Sequence, residues 1–257
     1  MFRLSRSLLA GLGVIFALAV PARAADEIPE YVPATVIGAW YLRGDISRTN
    51  QQLHGGIESP FLDESDNLAF SDHGSFGTAA AARIGIGYHL SDWLRFDITG
   101  QYRGDSDFSA FARYSSPLVD ADPDSWDGTV EYDAAKKEWL FLANAYFDLG
   151  TWMGFTPYAG AGIGFSRVTV SDVRETIEPG NGISPGADNS TTNFAWALHA
   201  GMGVEISDRL TLDVGYSYTD LGEAASGTVA GTSRTGPIRF DNIVSHDLNI
   251  GLRYKIF

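Results

Sequence analysis

Every second residue from Phe76 to Leu90 is uncharged: Phe76, Thr78, Ala80, Ala82, Ile84, Ile86, Tyr88 and Leu90, with Gly77, Ala79, Ala81, Arg83, Gly85, Gly87 and His89 between them. A repeat of two is the repeat of a β-strand, whose successive side chains point to opposite faces. The same rhythm runs through 94–103, 139–149, 194–206, 210–218 and 246–256. Two further stretches, 35–47 and 156–170, follow it less strictly, and the second loses phase after Phe165, as a bulge or a strand exit causes. Across the six regular stretches one face carries no charge, whereas the other holds Arg83, Arg95, Asp97, Arg103, Asp148, Glu205, Asp213, Asp247 and Arg253. A soluble sandwich tolerates charge freely on its wet face. A face that admits none over six strands fits hydrocarbon, where a mid-bilayer Lys or Arg costs roughly 2–4 kcal/mol.

The connections alternate in length. Short ones fall at Ser91–Asp92, around 150–155 and at 207–209, and long ones at about 48–75, 105–136, 171–192 and 222–243. The long segments are rich in Gly, Ser, Asp and Pro and hold most of the excess acid. Short periplasmic turns and longer outer loops are the asymmetry of an outer-membrane barrel. The expected fold is therefore all-β: an eight-stranded antiparallel transmembrane β-barrel with short periplasmic turns and four long extracellular loops.

The first residues read differently. Arg3 and Arg6 precede an apolar run from Leu8 to Val20, and Ala22-Arg23-Ala24 follows it. That is the layout of a secretory signal peptide, and a 13-residue run is too short to span a bilayer as a helix. We expect 1–24 to be a cleaved signal peptide and 25–257 to be the barrel domain. Loss of Arg3, Arg6 and Arg23 leaves 15 basic against 32 acidic residues and takes the formal net charge from -14 to -17. So acidic a chain is a poor partner for nucleic acid, whose phosphates attract basic surfaces. It contains no cysteine, so no disulfide staples this exported fold.

The segments "WYLRGDIS", "GYHLSDWLRFDITGQYRG", "PYAGAGIGFSRV", "VEISDRLTLDVGYSYTDLG" and "GLRYKIF" resemble the small outer-membrane β-barrel proteins of alphaproteobacteria, surface-antigen barrels with the architecture of the OmpA transmembrane domain. The resemblance spans nearly all of the chain after the leader, apart from the long loops. It implies a place in the cell outer membrane of a Gram-negative bacterium, surrounded by lipid and lipopolysaccharide. It also implies a role in envelope integrity and, in some members, contact with host cells; it does not imply a reaction. In such proteins the barrel-assembly machinery reads the C-terminal strand, which ends in Phe. Phe257 is present here, but Ile250, Leu252, Tyr254 and Ile256 are out of step with it by one, so Phe257 either turns to the other face or sits on a bent end.

Several motifs invite sharper readings. Arg43-Gly44-Asp45 is an adhesion tripeptide elsewhere, but alternation puts Trp40 and Leu42 on the lipid side and Tyr41, Arg43 and Asp45 inside, as members of a lumenal ion-pair network. Asp120, Asp122, Asp124 and Glu131 have the spacing of a calcium loop, yet Ser125 replaces the turn glycine and Pro123 intrudes, so an acidic solvated loop is the better reading and no metal site is assigned. For catalysis, His73 beside Ser71, Asp72 and Ser75, and His246 beside Asp247, are the candidates, but neighbours on a strand face opposite ways. His54 and His89 suggest nothing further, and His199 reads as a packed lumenal hydrogen-bonder. No catalytic or cofactor-binding residue is assigned. Trp40, Trp93, Tyr102, Trp139, Trp152, Phe155, Tyr216, Tyr218 and Tyr254 fit the aromatic girdles of the two interfaces. Gly160, Gly162 and Gly164 have no following helix and leave room for large lumenal side chains. The expected function is structural, with a narrow porin-like pore or a loop-mediated adhesin as alternatives.

Overall fold

A computed structural model describes residues 38–54, 57–58, 67–115, 127–179, 182–230 and 235–256. The expected signal peptide, the aspartates at 120, 122 and 124, the side chain of His73 and the orientation of Phe257 lie outside the described residues.

The strands are β1 (Trp40–Leu53), β2 (Ile57–Glu58), β3 (Asn67–Ser75), β4 (Thr78–His89), β5 (Leu94–Ser115), β6 (Gly128–Asp148), β7 (Phe155–Glu178), β8 (Gly182–Pro185), β9 (Asn189–Ser207), β10 (Leu210–Ala230) and β11 (Thr235–Lys255). Eight of them form an antiparallel ring in the order β1-β4-β5-β6-β7-β9-β10-β11, closed by β11 pairing with β1. Closure removes the sheet edges, and every backbone group in the lipid zone finds a partner on a neighbouring strand. The three short strands prolong the wall outward: β2 beside β11, β3 beside β5 and β8 beside β7.

The expected alternation is present. On β1 the exposed residues are Trp40, Leu42, Gly44 and Ile46, and the buried ones are Tyr41, Arg43, Asp45 and Ser47. On β6 the apolar outer row runs from Trp139 to Phe147 and continues to Leu149 at the turn. Ten residue steps at ~3.4 Å, tilted about 40°, give a belt roughly 26 Å tall, the height of an outer-membrane hydrocarbon zone. Aromatic rings crowd its rims, with Trp40 on Tyr88 at 5.1 Å, Trp93 stacked on Phe147 at 5.8 Å and Tyr102 on Trp139 at 5.0 Å.

The strands run much further outward than the periodicity predicts. Large parts of 48–75, 105–136, 171–192 and 222–243, expected as loops, are ladder: β5 and β6 stay paired out to Tyr114 and Gly128, and β6 and β7 out to Thr129 and Glu178. Nor does β7 lose phase after Phe165. Ser166, Val168 and Val170 continue the inward row, and the register shift comes later, opposite Asp133–Ala135. What changes at Phe165 is the chemistry of the faces: Arg167 now points out and Val168 points in. The strand has left the belt. Phe76, expected on the outer face, is fully buried; it precedes Gly77, whose φ of +45° breaks the strand and turns the ring inward.

One seam interrupts the outer wall. The β9–β10 ladder stops at Trp196–Asp220, and the two walls next meet at the Gly186–Val229 bridge. Backbone bonds reach in from that bridge only to Gly227–Ala187 (2.7 Å), and two side chains span the rest of the gap. Asn193 Nδ2 donates to the carbonyls of Leu221 (3.1 Å) and Glu223 (2.6 Å), and Asn189 Nδ2 donates to that of Ala225 (3.1 Å).

Candidate functional site

An eight-stranded ring leaves an interior just wide enough for side chains. Here two chemically different fillings are stacked inside it. The lower one is ionic. Arg43 grips both oxygens of Asp45 (3.0 and 2.9 Å) and also donates to Asp97 (2.8 Å) and to the Tyr146 hydroxyl (3.0 Å). Arg83 pairs with Asp45 from the neighbouring strand at 3.2 Å and donates to Asn249 at 2.7 Å. The adhesion-like tripeptide is thus held edge to edge inside the membrane, as the alternation predicts.

Around this centre the polar groups are shared. Asn144 donates to the other oxygen of Asp97 at 2.7 Å and lies 3.1 Å from His199 Nε2, while His199 Nδ1 meets Ser217 at 2.8 Å. Toward the periplasm Arg253 forks onto Asp213 (3.0 and 3.0 Å), and Arg95 meets Asp148 at 3.1 Å. The terminal nitrogens of Arg95 have no hydrogen-bond partner; its guanidinium instead lies between the rings of Tyr146 (4.2 Å) and Tyr158 (4.8 Å). A buried cation between two aromatic faces is held by their quadrupoles. Charges at this depth cost several kcal/mol each unless paired, so the density of partners is what makes the filling tolerable.

Gly160 and Gly162 let this crowd fit. A β-carbon at Gly160 would fall 2.5 Å from the Tyr146 ring, and one at Gly162 would fall 2.0 Å from Asn144 Oδ1. The expected room for a large lumenal side chain is therefore taken by Tyr146 and Asn144. The space left among Arg43, Asp45, Arg83, His199 and Asn249 is about 10 Å³, enough for one water. A second recess of about 30 Å³ opens at the periplasmic mouth beside His89, Asp148, Arg253 and Lys255. Glu205, expected inside, is exposed on the rim of that mouth, where a register shift next to the 208–209 turn ends the ladder.

Above the ions comes an apolar filling. Phe76, Phe108 and Phe240 pack ring to ring at 4.9, 5.4 and 5.1 Å, and Val130, Val168, Val170, Leu221 and Ile243 close around them. The junction between the fillings joins Arg103 and Asp247, expected on the inner face, to Gln51, Lys136 and Glu138, which the alternation did not single out. Arg103 donates to Asp247 at 2.7 Å, Gln51 donates to Glu138 at 3.1 Å, and Lys136 donates to Gln51 and Glu138 while its ammonium sits 4.4 Å from the centre of the Phe76 ring. Lys136 fell within an expected loop, and Glu138 follows a second charge, Lys137, so no alternation was visible there.

The remaining histidines are separated by the pleat. His246 faces outward and bonds the Tyr216 hydroxyl at 2.5 Å, while Asp247 pairs with Arg103 inside. His89 packs against Tyr41 at 5.0 Å, and His54 is exposed.

A closed ring of eight strands, an uncharged outer belt with aromatic rims and a polar lumen agree with a family model that matches residues 10–255, the outer membrane protein beta-barrel domain. The chain belongs to this family. Its place is the outer membrane of a Gram-negative bacterium. An uncharacterised protein of Brucella abortus (strain 2308) is 29% identical to this barrel over 258 residues, covering 90% of this chain and 89% of its own. A Rickettsia bellii (strain RML369-C) protein, provisionally named an adhesin, is 28% identical over 225 residues, covering 85% and 88%. Among solved structures, Neisserial surface protein A is 17% identical with a TM-score of 0.45, covering 84% of this barrel and 97% of that chain.

Proposed function

We propose that this barrel is a sealed, non-catalytic wall element of the outer membrane, which contributes to envelope integrity and holds a rigid acidic crown outside the cell. The observation that carries this reading is the double filling. An ion moving through the lumen would have to break the Arg43–Asp45–Arg83–Asp97 network and then cross the dry cluster of Phe76, Phe108 and Phe240. No single rearrangement opens both. The non-catalytic part draws support from the histidines: His199 is held by Ser217 and Asn144, and the pleat separates His246 from Asp247. The protein reconstituted in a planar bilayer is expected to give no conductance steps; reproducible steps would overturn the sealed reading in favour of a narrow pore.

The outward ladder favours a second reading, in which the crown docks on another surface. It exposes Ser109, Phe111, Arg113 and Glu131 on stiff strands, and the relative in Rickettsia carries an adhesin's name. Replacing the connection 116–126 by a short Gly-Ser linker leaves the paired strands in place. Loss of cell attachment by bacteria carrying this variant would support adhesion, and unchanged attachment would count against that connection as the contact.

A further inference from the structure

The outer rim of the belt on β6, β7 and β9 is marked by Trp139, Phe165 and Phe194, all large and exposed. One outward position further along, β6 presents Lys137 and β7 presents Arg167. The register pairs Arg167 with Trp139 and Lys137 with Thr169, so the two cations are diagonal neighbours on adjacent strands, within reach of one small anion. Hydroxyls flank them. Thr192 is the β9 partner of Arg167, and Thr169 and Ser190 lie beside it, 2.9 Å apart.

In a chain of net charge -14, two adjacent cations on one outer face need a reason. Neither Lys137 nor Arg167 forms an ion pair or a side-chain hydrogen bond among the described residues. The acid next to Lys137 in sequence, Glu138, is turned to the lumen and satisfied there by Lys136 and Gln51. Asp105 on the bulge of β5 lies opposite Lys137 and Asp107, paired with Ala135, lies diagonal to it; neither bonds to Lys137, and Asp172 is further out on β7. Two residues beyond the belt is roughly 5 Å along the membrane normal, the depth at which lipid headgroups begin.

We propose that Lys137 and Arg167, with Thr169 and Thr192, form a binding site for the phosphate of an anionic glycolipid headgroup in the outer leaflet, whose acyl chains lie along Trp139, Phe165 and Phe194. A free anion in solution would gain the same two cations. Only a lipid also gains the apolar wall directly beneath them, and that favours the membrane-borne source. The site rests on the placement of the belt in the membrane, not on the sealed lumen, so its failure would leave the conductance result untouched.

The test uses the full barrel folded in zwitterionic micelles, titrated calorimetrically with bisphosphorylated lipid A, with the same lipid after enzymatic removal of both phosphates, and with inorganic phosphate. Binding is expected for the first, at least tenfold weaker binding for the second and none for the third. Lys137→Gln with Arg167→Gln should weaken lipid A binding roughly thirtyfold, at about fivefold for each cation near the membrane surface. Arg167→Lys should keep most of the affinity, because it keeps the charge. Arg113→Gln, which removes an exposed cation far above the belt, should change nothing. Unboiled gels report that each variant is folded. Equal binding of the two lipids, wild-type affinity in the double variant, or an equal loss in Arg113→Gln would overturn the proposal. Tight binding of inorganic phosphate alone would overturn the commitment to a lipid.

Discussion

Strand β6 crosses two environments. Within the belt Trp139, Phe141, Ala143 and Phe147 face outward, and Glu138, Asn144, Tyr146 and Asp148 face the lumen. Further out on the same strand Glu131 and Lys137 face outward, and Val130, Tyr132 and Ala134 face inward. The same inversion occurs on β7, where Ile163 and Phe165 face out below and Val168 and Val170 face in above. The ladder continues through the change with only a local bulge, so backbone pairing has nothing to do with it. Solvent does. Where hydrocarbon wets the outside, the apolar residues are drawn there and the lumen is left for polar groups that must satisfy one another. Where water wets the outside, the hydrophobic effect reverses the assignment and gives the outer section a dry core like that of a soluble barrel.

The comparison can be broken by attacking each filling in its own terms. The largest effect is expected for Asp97→Ala, which takes one of the two carboxylates from Arg43 and leaves Tyr41 and Asn144 each short of a partner. Removing one member of a buried ion pair costs about 3–5 kcal/mol. Urea unfolding in micelles, followed by the compact band on unboiled gels, should show that loss. A change under 1 kcal/mol would mean that the lower filling is incidental.

The next test places one residue at two heights on the outer face. Ile84→Arg puts a cation on the belt, at a position 74% exposed to lipid, and should cost roughly 2–4 kcal/mol. Ser109→Arg points the same way on the outer ladder and should fall within about 0.5 kcal/mol of wild type. Equal costs would mean that the change of solvent does not lie between them. The smallest effect concerns the seam. Asn193→Ala removes the bonds to Leu221 and Glu223 and should cost about 1 kcal/mol in the same unfolding assay. Faster hydrogen exchange confined to 221–226 would show that the side chain closes a gap the ladder leaves.

The same inversion explains what could be read from the sequence. In the belt, lipid enforces an uncharged face, so Ile84, Phe96 and Ile250 stand out against Arg83, Asp97 and Asn249, and both the ring and the inward place of Arg43 and Asp45 were legible. Above the belt the inner row is built from small residues such as Ala110, Ala112, Ala134 and Ala224, set between Ser, Asp and Gly. That composition looks like loop, because a narrow dry core needs little apolar volume per strand. Phe76 was misplaced for a local reason: a break in the strand reverses which way the next side chain points. The Lys136–Glu138–Gln51 layer was invisible because Gln51 lies far in sequence from the other two, and only the barrel brings them together.

The continuous ladder outside the cell has a consequence for how that surface can evolve. Free loops accept substitution anywhere along their length. A wall accepts it only on the side that does not touch the packed interior. Under pressure from antibodies or phage, drift in 105–115 should therefore be written as a dashed line, through Ser109, Phe111 and Arg113 while Phe108, Ala110 and Ala112 stay fixed.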